Sequence, residues 1–167
     1  MSHAAPAPSP PAAAASGWVH ALQTDDLDEL AQGQADWSLQ YQQLSCGAFQ
    51  GRVTHVQLPG LRLVLETASQ AVHQRGAIGH GHYGFAMPLG PVGDAFFNGQ
   101  RLGGDAMMIG RSEDLDLVTP PGFGLVGAVV DRALLAPLWQ HMYQKPLSDW
   151  LDRQVVVPVR PAAAQAV

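Results

Sequence analysis

The sequence predicts a mainly β protein, an antiparallel barrel or sandwich with a short helix near its start and helices near its end. Three observations carry this expectation. The 167 residues include 18 Gly and 13 Pro, which weaken helix interiors, while strong helix formers are scarce, with three Glu and one Lys. Short β-branched or alternating runs recur at roughly ten-residue spacing between Gly and Pro, the pattern of an all-β domain. Helical spacing of apolar residues appears clearly only after residue 130.

The elements follow in order. Residues 1–16 hold seven Ala and four Pro, with nothing large to bury. The expectation is an Ala/Pro-rich disordered tail extending to about residue 20. A short helix follows, with Thr24 as its cap, Asp25 and Asp26 at the positive end of its dipole, and Leu27, Leu30 and Ala31 on one face. Gly33 ends or loosens it.

Arg52 to Leu58 and Leu61 to Thr67 read as two strands joined by the turn at Pro59-Gly60. In the second, Leu61, Leu63 and Leu65 share one face, and Arg62 and Glu66 share the other. A third strand is expected over Ala71 to Arg75. The fourth, Tyr83 to Met87, has large residues on one face and tiny ones on the other. Asn98-Gly99 inside Ala95 to Leu102 is a strong hairpin signal, because both turn residues take positive φ. Asp105 to Ile109, Asp114 to Thr119 and Phe123 to Val130 complete about eight or nine strands.

Leu134, Leu135, Leu138, Trp139, Met142 and Tyr143 then recur at helical spacing. Pro137 either starts this helix or kinks it. Ser148 to Arg153 suggests another turn or two of helix, and residues 156–167 read as a Pro/Ala-rich linker. The organisation expected is a tail over 1–20, a β domain over 21–130, a helical segment over 131–155 and a linker over 156–167.

Composition sets bounds on function. Nine Lys or Arg against fourteen Asp or Glu give a net charge of −5, without any basic run of the kind that grips nucleic acid. The single cysteine, Cys46, precludes an internal disulfide. The longest apolar run has eight residues, far short of the roughly 20 of a membrane helix. These signals predict a soluble cytoplasmic chain with no membrane contact.

Two features suggest chemistry. His80-Gly81-His82 places two imidazoles two residues apart, a spacing that lets a strand chelate one metal. A mononuclear cupin enzyme follows such a pair with a Glu and a later His. Here residues 83–89 lack Glu and residues 83–140 lack His, so the segment reads as a pocket or surface loop, with no metal and no cofactor. His73 and Arg75 share one face of the third strand. With His80 and His82 they are the candidate ligand-binding residues, and Arg62 and Glu66 are further polar groups that could orient a small molecule. No nucleophile-elbow motif occurs, and no catalytic residue is assigned. The apolar helix stripe suggests packing on the sheet, a subunit contact, or both on different residues. Leu134, Leu135, Leu138, Trp139 and Met142 are its candidate dimerisation residues.

Several runs resemble a known family. Trp37, Tyr41, Gln43-Leu44-Ser45, Gly47, Phe49 and Gly51-Arg52 are similar to the opening of the sensor domain in AraC/XylS-family transcription regulators, notably of the ethanolamine-regulator type. Glu66 to Val72, Asn98-Gly99-Gln100 and Leu117 to Phe123 resemble later parts of the same domain, in the same order, over about Asp36 to Leu135. The resemblance implies a cupin-like β-barrel that senses a small-molecule effector, followed by dimerising helices and a linker. It also implies a DNA-binding domain of two helix-turn-helix motifs, which this chain lacks. The expected partners are an effector and a second copy, with DNA reached only through the missing domain. The alternatives are a metal-dependent cupin enzyme using His80 and His82, and a scaffold barrel whose interior is filled by side chains.

Overall fold

The computed structural model describes residues 17–34, 37–111 and 115–159. Among these the chain is mainly β, with two antiparallel sheets and three helices. The expected tail over residues 1–16, the end of the linker from residue 160, and Asp114 lie outside the described residues.

The larger sheet contains β1 (Trp18–Thr24), β3 (Gly51–Leu58), β4 (Leu61–Ala68), β11 (Phe123–Asp131), β6 (His82–Leu89), β9 (Ala106–Arg111) and β12 (Val156–Pro158), in that spatial order. The smaller contains β2 (Ser38–Gln43), β5 (Val72–Ala77), β10 (Leu115–Thr119), β7 (Phe96–Phe97) and β8 (Gln100–Arg101). The two sheets pack as a sandwich. No ladder among the described residues joins them into a closed barrel, so of the two expected architectures the sandwich is the one formed.

The turn chemistry works as the sequence predicts. β3 and β4 meet in register from Gly51↔Ala68 to Leu58↔Leu61, with Gly60 at φ 70° in the turn. β7 and β8 close around Asn98 and Gly99, both at positive φ.

Several boundaries are corrected. Trp18, Val19 and His20, expected in the tail, belong to β1, which pairs antiparallel with β3. The helix α1 (Leu27–Gln32) is capped by Asp26 rather than Thr24. The Asp26 carboxylate accepts from the Asp28 and Glu29 amides at 2.8 and 3.2 Å. Thr24 instead donates its hydroxyl to Glu29. Residues 156–158, expected in the linker, add a strand to the edge of β9. α2 (Arg132–Tyr143) runs through Pro137, which forgoes one helical hydrogen bond inside it, and α3 (Ser148–Leu151) follows.

The core has three parts. One interior cluster gathers Leu30 of α1 with Phe49, Val53, Val64, Ala68 and Val72. A second gathers Ala95, Phe97, Leu102, Met108, Leu117, Phe123 and Leu125. The third lies on the outer face of the larger sheet, where Tyr83 and Ile109 are covered by Leu147 and Leu151, with Leu135 and Trp139 of α2 against them.

Candidate functional site

The interior between the sheets is not filled. A cavity of about 70 Å³ borders both interior clusters. Its large-sheet wall includes Gly84 and Ala86 of β6, Gly110 of β9 and Gly127 of β11. Register explains their convergence: Gly84 pairs with Gly110, and Ala86 with Gly127. This is the tiny-residue face that the sequence of β6 displays, and it faces inward. Leu39, Ile78, Phe97, Leu115 and Leu117 close the opposite side, with Gln74 and Trp37.

Trp37, Ile78 and Val129 also wall a second, more polar space of about 130 Å³, which Gln57, Arg62, His82 and Asp131 line with Leu61 and Gly79. The Arg62 guanidinium lies 5.7 Å from the ring centres of both Trp18 and Trp37, and its Nε donates to Gln57 at 2.7 Å. His82 Nε2 stands 2.9 Å from Asp131 Oδ1.

Beside the cavity a polar cluster bridges the two sheets. Glu66 of β4 is buried and accepts from Gln34, from Tyr41 of β2 at 2.9 Å and from Gln74 of β5 at 2.6 Å. Burial raises the Glu66 carboxyl to about 7, although the three hydrogen bonds pull the other way. The same burial, with the neighbouring Glu66 charge, raises the Tyr41 phenol well above its ordinary value. His55 of β3, inward-facing and fully buried, is lowered to about 4. Burial is the main cause, followed by the charges of Arg62 and His20.

The predicted residues separate. His82 lines the polar space, and His80 lies in the turn just before β6. His73 and Arg75 flank the inward Gln74 and so face away from the cavity. There Asp116 lies 2.8 Å from His73 Nε2 and 3.3 Å from Arg75 Nε. Arg62 and Glu66 both face inward, while Leu63 and Leu65 are each 40% exposed on the outer face. Among the described residues no three His, Cys, Asp or Glu stand together as a metal site. Sequence reasoning missed Gln34, Tyr41, Gln74 and Trp37 as interior polar or aromatic groups. Their partners are remote in sequence, so no local spacing marks them.

The helical stripe also divides. Leu135 and Trp139 pack on the sheet, whereas Leu134, Leu138 and Met142 are 44%, 54% and 68% exposed at four-residue spacing. β9 ties this C-terminal segment to the cavity wall. Its Met108 and Gly110 line the cavity. Its Ile109 amide donates to Val155 at 2.8 Å, and its Arg111 donates to the Leu151 and Gln154 carbonyls at 2.8 and 3.0 Å. Replacing Arg111 by Ala removes a charged donor from the end of α3. It is expected to cost about 2 kcal/mol in urea unfolding and to speed hydrogen exchange after residue 147.

No helix among the described residues is long and apolar enough to cross a membrane. No family model, no curated protein and no solved structure matches the chain.

Proposed function

We propose that this chain is the effector-sensing and dimerisation domain of an AraC-type transcription regulator, acting in the cytoplasm without catalysis of its own. One observation carries the sensing part: the sandwich holds an unfilled apolar cavity beside a polar space, where a scaffold would hold side chains. The resemblance of the quoted sequence runs supports the family.

The mechanism is a population shift. A bound effector moves β9, whose inner residues line the cavity and whose edge holds β12. The C-terminal segment, and through it a DNA-binding domain or a second copy, responds to that movement. The reading is tested by titrating candidate metabolites while melting temperature and oligomeric state are followed. A saturable rise in either supports it, and no response to any effector of the intact regulator overturns it.

Dimerisation has its own test. Leu134, Leu138 and Met142 present an apolar row to solvent. Leu138→Glu is expected to shift a dimer to monomer in light scattering while circular dichroism shows the fold retained, because Leu138 is 54% exposed and contributes little to the monomer's own core.

A further inference from the structure

The three glycines of the cavity wall hold the best clue to what the cavity takes. None of Gly84, Gly110 and Gly127 has positive φ, so no turn geometry requires them. Each lies inside a strand, where glycine weakens the sheet. At Gly84 and Gly127 a methyl would crowd Ile78 Cδ1 at 2.9 Å and the Phe85 carbonyl oxygen at 3.1 Å, so glycine there permits close packing, and Gly110 is the one that provides room. A methyl placed on Gly110 would meet nothing nearer than Ile78 Cδ1 at 3.8 Å and the Gly84 Cα at 3.9 Å.

That room is apolar. Among its lining residues none is charged, and Gln74 and the Trp37 indole bring the polar side-chain atoms. The Gln74 amide already donates to Glu66. A water needs roughly 10–15 Å³ of such space and two to four polar partners. About 70 Å³ holds several waters, but the walls offer few partners for them. Water there is poorly held, and a molecule that displaces it loses little by bringing no hydrogen bonds. A charged guest would be stranded among groups that cannot solvate it.

We infer that the cavity binds a small, uncharged, mainly apolar molecule, and that a guest as large as a benzene ring, which needs about 150 Å³, extends from its 70 Å³ into the adjoining space past Trp37 and Val129. This rests on the sensing reading and names its ligand class. Any polar substituent would point past Trp37 and Val129 toward the space lined by Gln57 and Asp131.

The test uses toluene and indole as neutral probes and benzoate as a charged counterpart of similar shape, titrated into the 167-residue chain. Binding is read by calorimetry and by methyl shifts of Ile78, Leu117 and Val129. Toluene or indole is expected to bind saturably, at least tenfold more tightly than benzoate. Gly110→Val is expected to weaken that binding at least tenfold, and Gly110→Ala to weaken it less. Circular dichroism checks that both variants fold, and the Ala variant carries the comparison if the Val variant does not. Benzoate binding as tightly as toluene, with sensitivity at Gly110, overturns the ligand class and leaves the sensing reading standing. Toluene binding indifferent to both substitutions places the guest elsewhere and overturns the inference. Failure of every neutral probe overturns it too, and the metabolite panel then decides the sensing reading separately.

Discussion

Glu66→Gln is expected to make stability climb with pH between 4.5 and 6.5, where Glu66 and His55 together give the parent chain no slope. The native Glu66 carboxyl titrates at about 7, above its ordinary 4.5, so between these values the folded chain holds a proton that the unfolded chain has lost. Taken alone, Glu66 makes stability fall as pH rises from 4.5 to 7, by about 3 kcal/mol. His55 works in the opposite sense. Its native value of about 4 lies below its ordinary 6.5, so in that interval the unfolded chain holds the extra proton. Taken alone, His55 makes stability rise with pH from 4 to 6.5, again by about 3 kcal/mol.

Between pH 4.5 and 6.5 the two contributions cancel. The folded state keeps the proton on Glu66, the unfolded state keeps it on His55, and the numbers bound are equal. Urea midpoints of the parent chain should therefore show no slope from these two groups across that interval. In Glu66→Gln the His55 slope is exposed and stability rises with pH. In His55→Phe the Glu66 slope is exposed and stability falls. Two variants with the parent's pH profile would show that neither group is held in its buried state.

The same pair shows what the sequence could and could not reveal. The hairpins at Pro59-Gly60 and Asn98-Gly99 were legible because a turn's φ demand is local. The alternation of β4 was legible too, but alternation defines two faces without saying which one is buried. The three leucines suggest an apolar core face. The sandwich instead buries Val64, Glu66 and Ala68, the shorter apolar residues with one carboxylate, and leaves Leu63 and Leu65 outside. What decides this is the opposing sheet, whose Tyr41 and Gln74 supply hydrogen bonds to Glu66 across the interior. No spacing within β4 contains that information.

The strands β1, β2 and β12 were missed for a related reason. Each lies at the edge of a sheet, with polar or half-exposed residues on both faces, and its conformation depends on its partner's register. The cavity was half legible. The tiny residues of β6 were visible, but Gly110 and Gly127 join them only through strand pairing. Of the four predicted ligand residues, His73 and Arg75 depended on which face of β5 turned inward, and Gln74 took that place.

Leu151→Ala and Leu30→Ala should cost similar amounts and fail differently. Both side chains are fully buried, and a buried Leu→Ala change typically costs about 3–5 kcal/mol through lost transfer energy and the cavity left behind. Leu30 sits in the interior cluster with Val53, Val64 and Val72, residues from three strands of both sheets. Its loss weakens the whole sandwich, so the urea midpoint should fall for every probe together. Leu151 sits outside the sandwich, between α3 and the outer face of β6 and β9, against Tyr83 and Ile109. Its loss loosens what covers that face while the interior clusters keep their contacts. Hydrogen exchange should then accelerate across α2, α3 and β12 well before the interior strands respond. Uniform acceleration in Leu151→Ala would make the C-terminal segment an integral part of the sandwich. It would then be unable to move separately, as coupling between the cavity and β12 requires.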